Sequence, residues 1–208
     1  MIESIENALQ IAVLLACSGY TIFRAFKYRS RTWTMLAFFY GSWALGDIYW
    51  LVCLAFFGQT PQISVISDLS WYASYIFLYM LLRHAAPPDR RREKRFLPWL
   101  GPLFTLGMAL FFMQWGEIMT NLVYAMLMSL LLFSAIRRLL DGDKYAERKP
   151  LCIMILVFCL LEYALWTLSC FFTEDGIQNP YYWIDFLLTF SSVFFIPATG
   201  RRWRNEFH

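Results

Sequence analysis

Residues 43–79 read WALGDIYWLVCLAFFGQTPQISVISDLSWYASYIFLY, two apolar, aromatic runs joined by a short polar turn around Pro61. Each run approaches the ~20 residues that carry a helix across a bilayer. Each also holds one carboxylate, Asp47 or Asp68. The stretch therefore predicts two membrane-spanning helices with an ionisable group apiece. A related stretch returns from Leu161 to Ile196, with Glu162 and Asp185 in the matching places.

Further apolar runs place spans at Ile5–Phe26, Trp33–Phe57, Val65–Leu82, Phe96–Trp115, Ile118–Leu139, Leu151–Phe172 and Tyr181–Thr199. Nothing of the 208 residues is left for a soluble domain. Composition agrees: 59% of the chain is hydrophobic and 16% charged, where soluble domains carry roughly 25% charged residues. Mean hydropathy is +0.47. The expected fold is an all-α membrane protein of seven transmembrane helices, read as a single polytopic domain over 1–208.

Charge sets the expected orientation. With these boundaries all 18 Lys and Arg fall on one side, after spans one, three, five and seven. The other side bears acids only: Glu3, Glu6, Glu117, Glu174 and Asp175. Lys and Arg mark cytoplasmic loops, which predicts the N-terminus outside, the C-terminus inside and an inner-membrane location. The net charge of +3 is then topological and implies no nucleic-acid partner. The RRREKR run at 90–95 is a positive-inside anchor against the bilayer.

Cysteine and histidine add no chemistry. The five cysteines (Cys17, Cys53, Cys152, Cys159, Cys170) all lie within spans and form no CxxC pair, so they read as small buried apolar residues. His84 and His208 stand at the basic ends, far from the acids. No metal site or cofactor is expected, and no GxSxG, HExxH or phosphate loop marks a soluble-enzyme active site.

The two related stretches suggest an internal repeat. Asp47 and Glu162 each precede a Phe-Phe pair by nine residues, a proline loop follows, and Asp68 and Asp185 open the next helix. The expected arrangement is a parallel 3+1+3 repeat with units at about 4–84 and 117–200 and a linker helix at 96–115.

An ionisable group at the centre of a span costs at least ~2.5–3.5 kcal/mol and so faces the bundle or a water-filled cavity. Asp47 and Glu162 lie roughly 15 Å below the outer ends of their helices, counting 1.5 Å per residue. Asp68 and Asp185 lie nearer the surface. The four acids are expected to line one outward-opening cavity, two at its mouth and two at its floor. No Lys or Arg stands at their depth, so either the deep pair carries protons or a cation completes the site. Trp43, Trp50, Trp71, Tyr72, Tyr75, Tyr163 and Trp166 are the expected walls, and aromatic faces with carboxylates suit an organic cation. The structural alternative makes Asp47 and Glu162 neutral helix–helix contacts, and Asp68 and Asp185 helix caps. Span one is expected to pack, with Gln10, Ser18 and Tyr20 its few polar groups.

The GDIYW…P…SDLSWYASY pattern resembles the membrane sensory domains that precede bacterial diguanylate cyclase and histidine kinase modules. Gly46, Asp47 and Trp50 match a GD-x-x-W helix, Pro61 and Ser67 the turn, and Asp68 and Tyr72 the following helix. Tyr182, Trp183 and Asp185 match a final helix. The resemblance implies a sensor that signals through a protein partner or through an output domain in a longer chain. The 3+1+3 pattern is also similar to PQ-loop transporters, although Pro61-Gln62 falls in an outer loop. The Leu45-Gly46-Asp47 triplet is similar to membrane lysoplasmalogenases, in which Asp47 with Asp185 or Glu162 would supply general acid–base catalysis, but the His expected after it is missing. The ligand expected on these readings is a cationic or amphipathic small molecule.

Overall fold

A computed structural model describes residues 2–58, 65–85, 96–140, 147–174 and 176–205. The Pro61 turn, the basic connection after Ala85 and Asp175 lie outside the described residues. The elements are α1 (Ile2–Tyr28), α2 (Arg31–Phe57), α3 (Val65–Ala85), a 3-10 turn (Leu97–Trp99) leading into α4 (Leu100–Phe112), α5 (Ile118–Leu140), α6 (Lys149–Phe171), α7 (Pro180–Val193) and α8 (Phe195–Asn205). The described residues contain no strand.

Among the described residues six helices are long and apolar enough to cross a membrane: α1, α2, α3, α5, α6, and α7 with the start of α8 as one unit over Pro180–Gly200. The expected fourth span is shorter, an apolar helix of Leu97–Phe112. Proline explains its tight first turn, because Pro98 stands there without a backbone N–H. The last span is also interrupted. Pro197 cannot donate to the Val193 carbonyl, and α7 ends at Val193 before the chain resumes as α8.

The long helices close a ring in the order α1, α2, α3, α5, α6, α7, with α7 returning to α1. Successive helices are antiparallel: Asp47 of α2 meets Trp71 of α3, and Phe38 stacks on Phe77 at 5.0 Å. The α3–α5 pair is parallel, with Tyr72 beside Thr120 and Tyr75 beside Tyr124. So is α1–α7, where Gln10 meets Asp185 and Thr189. Helix α4 lies against α5, and Gly101 lets the backbones close: a Cβ there would stand 2.8 Å from that of Leu132.

The ring interior is aromatic at mid-height. Phe39, Tyr40, Phe158 and Phe195 are fully buried, and Phe158 packs edge-on against Phe39, Trp43, Tyr75 and Phe195 at 5.4–6.0 Å. The outside of the ring is apolar, with Leu45, Leu69, Leu103, Leu160 and Leu187 all exposed. Such a surface fits helices solvated by lipid.

Candidate functional site

One end of the ring holds a cavity of about 610 Å³. It lies where α1, α3 and α7 begin and where α2 and α6 end. Its polar wall comes from Glu3, Glu6, Asn7 and Gln10 of α1, Asp47 of α2, Asp68 of α3, Glu162 of α6 and Asp185 of α7. The aromatic wall is Trp43, Trp50, Trp71, Tyr75 and Trp166 with Tyr181 and Tyr182. Among the described residues no Lys or Arg lines it.

The acids have different partners. Asp47 is 3% exposed and accepts from Trp71 Nε1 on Oδ1 at 3.0 Å, while its Oδ2 has no partner among the described residues. Glu162 is held by the hydroxyls of Tyr75 and Tyr124, the latter 3.4 Å from Oε2. Tyr124 is positioned in turn by Trp166, whose ring stacks on it at 4.0 Å. Asp185 Oδ1 accepts from Gln10 Nε2 at 2.9 Å, and the same nitrogen lies 3.0 Å from Thr189 Oγ1. The Asp185 carboxyl is also hydrogen-bonded to that of Glu6. Two carboxyls can hydrogen-bond only with a proton between them.

Nine of the eleven residues expected from the sequence stand around this cavity: Asp47, Asp68, Glu162, Asp185, Trp43, Trp50, Trp71, Tyr75 and Trp166. Tyr163 packs instead against Phe104, Phe112 and Tyr124, and Tyr72 does not line the cavity either. It turns to α5, where its hydroxyl donates to the Thr120 carbonyl at 3.3 Å. Successive helical residues point about 100° apart, and with Trp71 turned to Asp47 the next position falls toward α5.

Asp185 also departs from expectation. It is neither at the mouth nor a cap, because Asn179 caps α7 by accepting from the Tyr181 N–H, and Asp185 is buried behind α1. Asp68 is half-buried and remains near the start of its helix.

The sequence reading missed α1. Glu6 and Gln10 are 2% and 5% exposed and form part of the cavity wall, where simple packing was expected. Their signal was the 3, 6, 7, 10 spacing of Glu3, Glu6, Asn7 and Gln10, which is one face of a helix. Nearer the mouth, Trp50 Nε1 approaches Glu3 Oε1 at 3.4 Å.

Below Gln10, Trp43, Tyr75, Glu162 and Leu188 the lining stops and the Phe39–Phe158–Phe195 cluster begins. The cavity is thus closed toward the basic end. Among the described residues no three His, Cys, Asp or Glu side chains come together closely enough to hold a metal ion.

No protein-family model matches this chain, and no curated protein or solved structure proved significantly similar to it. Fold and cavity alone define the class: a helical protein with membrane-type spans and a half-depth acidic, aromatic cavity.

Proposed function

We propose that this chain is a membrane-embedded ligand-binding module whose cavity takes up a small organic cation and whose occupancy is read by a protein partner. One observation carries the reading: buried carboxylates and tryptophans share a cavity of about 610 Å³ that, among the described residues, no Lys or Arg lines. Negative charge without a resident counter-charge attracts a cation, and indole faces favour one that brings its own apolar body. The carboxylates do not converge on a point, which favours an organic cation over a bare metal ion.

Closure of the cavity by Phe39, Phe158 and Phe195 favours sensing over transport, since a transported solute needs a path to the other face. The basic helix ends, with Lys27, Arg83, Arg137 and Arg138, support a cytoplasmic basic side and an outward-facing cavity. In this reading α4 is a short seventh span. The 3+1+3 repeat is supported by the paired interfaces, because α1 on α7 corresponds to α5 on α3 when the halves are exchanged.

The test is thermal unfolding of the purified chain in detergent with a panel of amines, quaternary ammonium ions and lysolipids. At a hundredfold excess over Kd a ligand adds about 2.7 kcal/mol of stability, enough to read as a rise in melting temperature. The rise is expected with cations and is smaller in Asp47→Asn. If no cation shifts the transition while Asp47→Asn and Glu162→Gln lower it, the acids are structural and the reading fails. Stabilisation by lysolipids alone would point to the hydrolase alternative.

A further inference from the structure

Two buried carboxylate oxygens on residues of the cavity wall are left over by the hydrogen bonds among the described residues. Asp47 Oδ1 has Trp71, Glu162 has Tyr75 and Tyr124, and Asp185 has Gln10 and Glu6. Glu6 Oε1 and Asp47 Oδ2 have no partner among the described residues, although the residues are only 2% and 3% exposed. Both residues line the same cavity, one from α1 and one from α2. A buried acceptor left unpaired is costly, whereas a charge-assisted hydrogen bond to it is among the strong ones. The cavity's ligand is therefore asked for N–H donors as well as charge. Trp43, Trp50 and Trp71, on α2 and α3, offer flat apolar surface in the same cavity.

Resting on the ligand-binding reading above, we infer that the ligand is a protonated primary or secondary amine, whose N–H groups bond Glu6 Oε1 and Asp47 Oδ2 and whose apolar body lies among the tryptophans. A quaternary ammonium ion satisfies the aromatic faces equally well. It has no N–H, so both oxygens stay unpaired beneath it.

The experiment compares phenethylamine with its N,N,N-trimethyl analogue on the full chain in detergent, by calorimetric titration. The amine should bind at least about tenfold more tightly, the worth of one charge-assisted hydrogen bond. Glu6→Gln and Asp47→Asn should each weaken the amine more than the trimethyl compound, which loses charge attraction but no hydrogen bond, and so remove most of that preference. A cooperative thermal transition shows that each variant is folded, and if a variant does not fold the wild-type ratio decides alone. Equal or tighter binding of the trimethyl compound overturns the assignment and leaves the cation cavity standing. A preference that survives both substitutions also overturns it. Binding of neither compound, nor of any other cation, removes both this inference and the ligand-binding reading.

Discussion

The indole of Trp71 lies directly on the Cα of Gly46: a methyl group at that position would stand 2.5 Å from Nε1 and 2.8 Å from Cδ1. The same Nε1 donates to Asp47. Glycine at 46 admits the donor that its neighbour's carboxylate requires, so the two residues and the ring above them act as one unit.

Gly46→Ala should therefore destabilise the protein by about 1–3 kcal/mol, the usual cost of overpacking. Alanine's better helix propensity, up to ~1 kcal/mol, does not offset this. Gly19→Ala is the matched control, because nothing lies within 4 Å of a Cβ there and the substitution should be neutral or stabilising. Thermal unfolding of the two variants gives the comparison, and equal shifts would mean Trp71 yields freely.

Gln10→Leu removes the amide that joins Asp185 to Thr189 at 2.9 and 3.0 Å. Leaving a buried carboxylate short of a donor costs about 1–3 kcal/mol. Gln10→Glu should cost more, since it adds a third carboxyl beside Glu6 and Asp185. Denaturation of the set in one detergent would show the order, and a harmless Gln10→Leu would mean that α1 does not support α7.

Depth of access can be read along α6. In a chain whose five native cysteines are replaced by alanine, Ser169→Cys should react fast with a small water-soluble thiol reagent. Leu165→Cys, one turn deeper on the cavity wall, should react more slowly. Cys159 restored alone should not react, being fully buried beside Phe158. Rapid labelling of Cys159 would show that the cavity is not blind.

Affinity for a cation should rise with pH. A ligand that takes a carboxylate oxygen competes with protons for it, and displacement of one proton per cation changes Kd by up to about tenfold per pH unit. Between pH 5 and 8 an alkylamine stays protonated, so the trend reports the protein. Asp185→Asn deprives Glu6 of its carboxyl partner and should flatten the dependence. Titrations at both pH values would check this, and an affinity that falls as pH rises would contradict it.

Run length and composition were enough to locate the long helices, and an acid as far from a helix end as Asp47 or Glu162 has few places to go but the bundle interior, where both are buried. The α4 helix was less legible: its apolar run is long enough, but Pro98 and the turn at 113–115 shorten the helix itself. Tyr72 was misassigned through a face drawn too wide. Glu6 was passed over because an acid there already fitted the charge asymmetry of the loops, and Gln10 because a lone amide in an apolar run reads as packing. Burial of Asp185 depends on residues 175 and more positions away, and no local pattern announces such a contact.

That long reach has a consequence for assembly. Helices α1 to α3 leave the ribosome before α5 to α7, with the Trp71–Asp47 bond available as soon as α3 is in place. The partners of Glu6 and Gln10 are on α7, with Asp185 lying 175 residues beyond Gln10. Until α7 is made, α1 must wait with its polar stripe unanswered, either at the headgroup level or beside an insertion factor. Closing the seam between α1 and α7 is thus the step that creates the cavity, and errors in biogenesis should collect there.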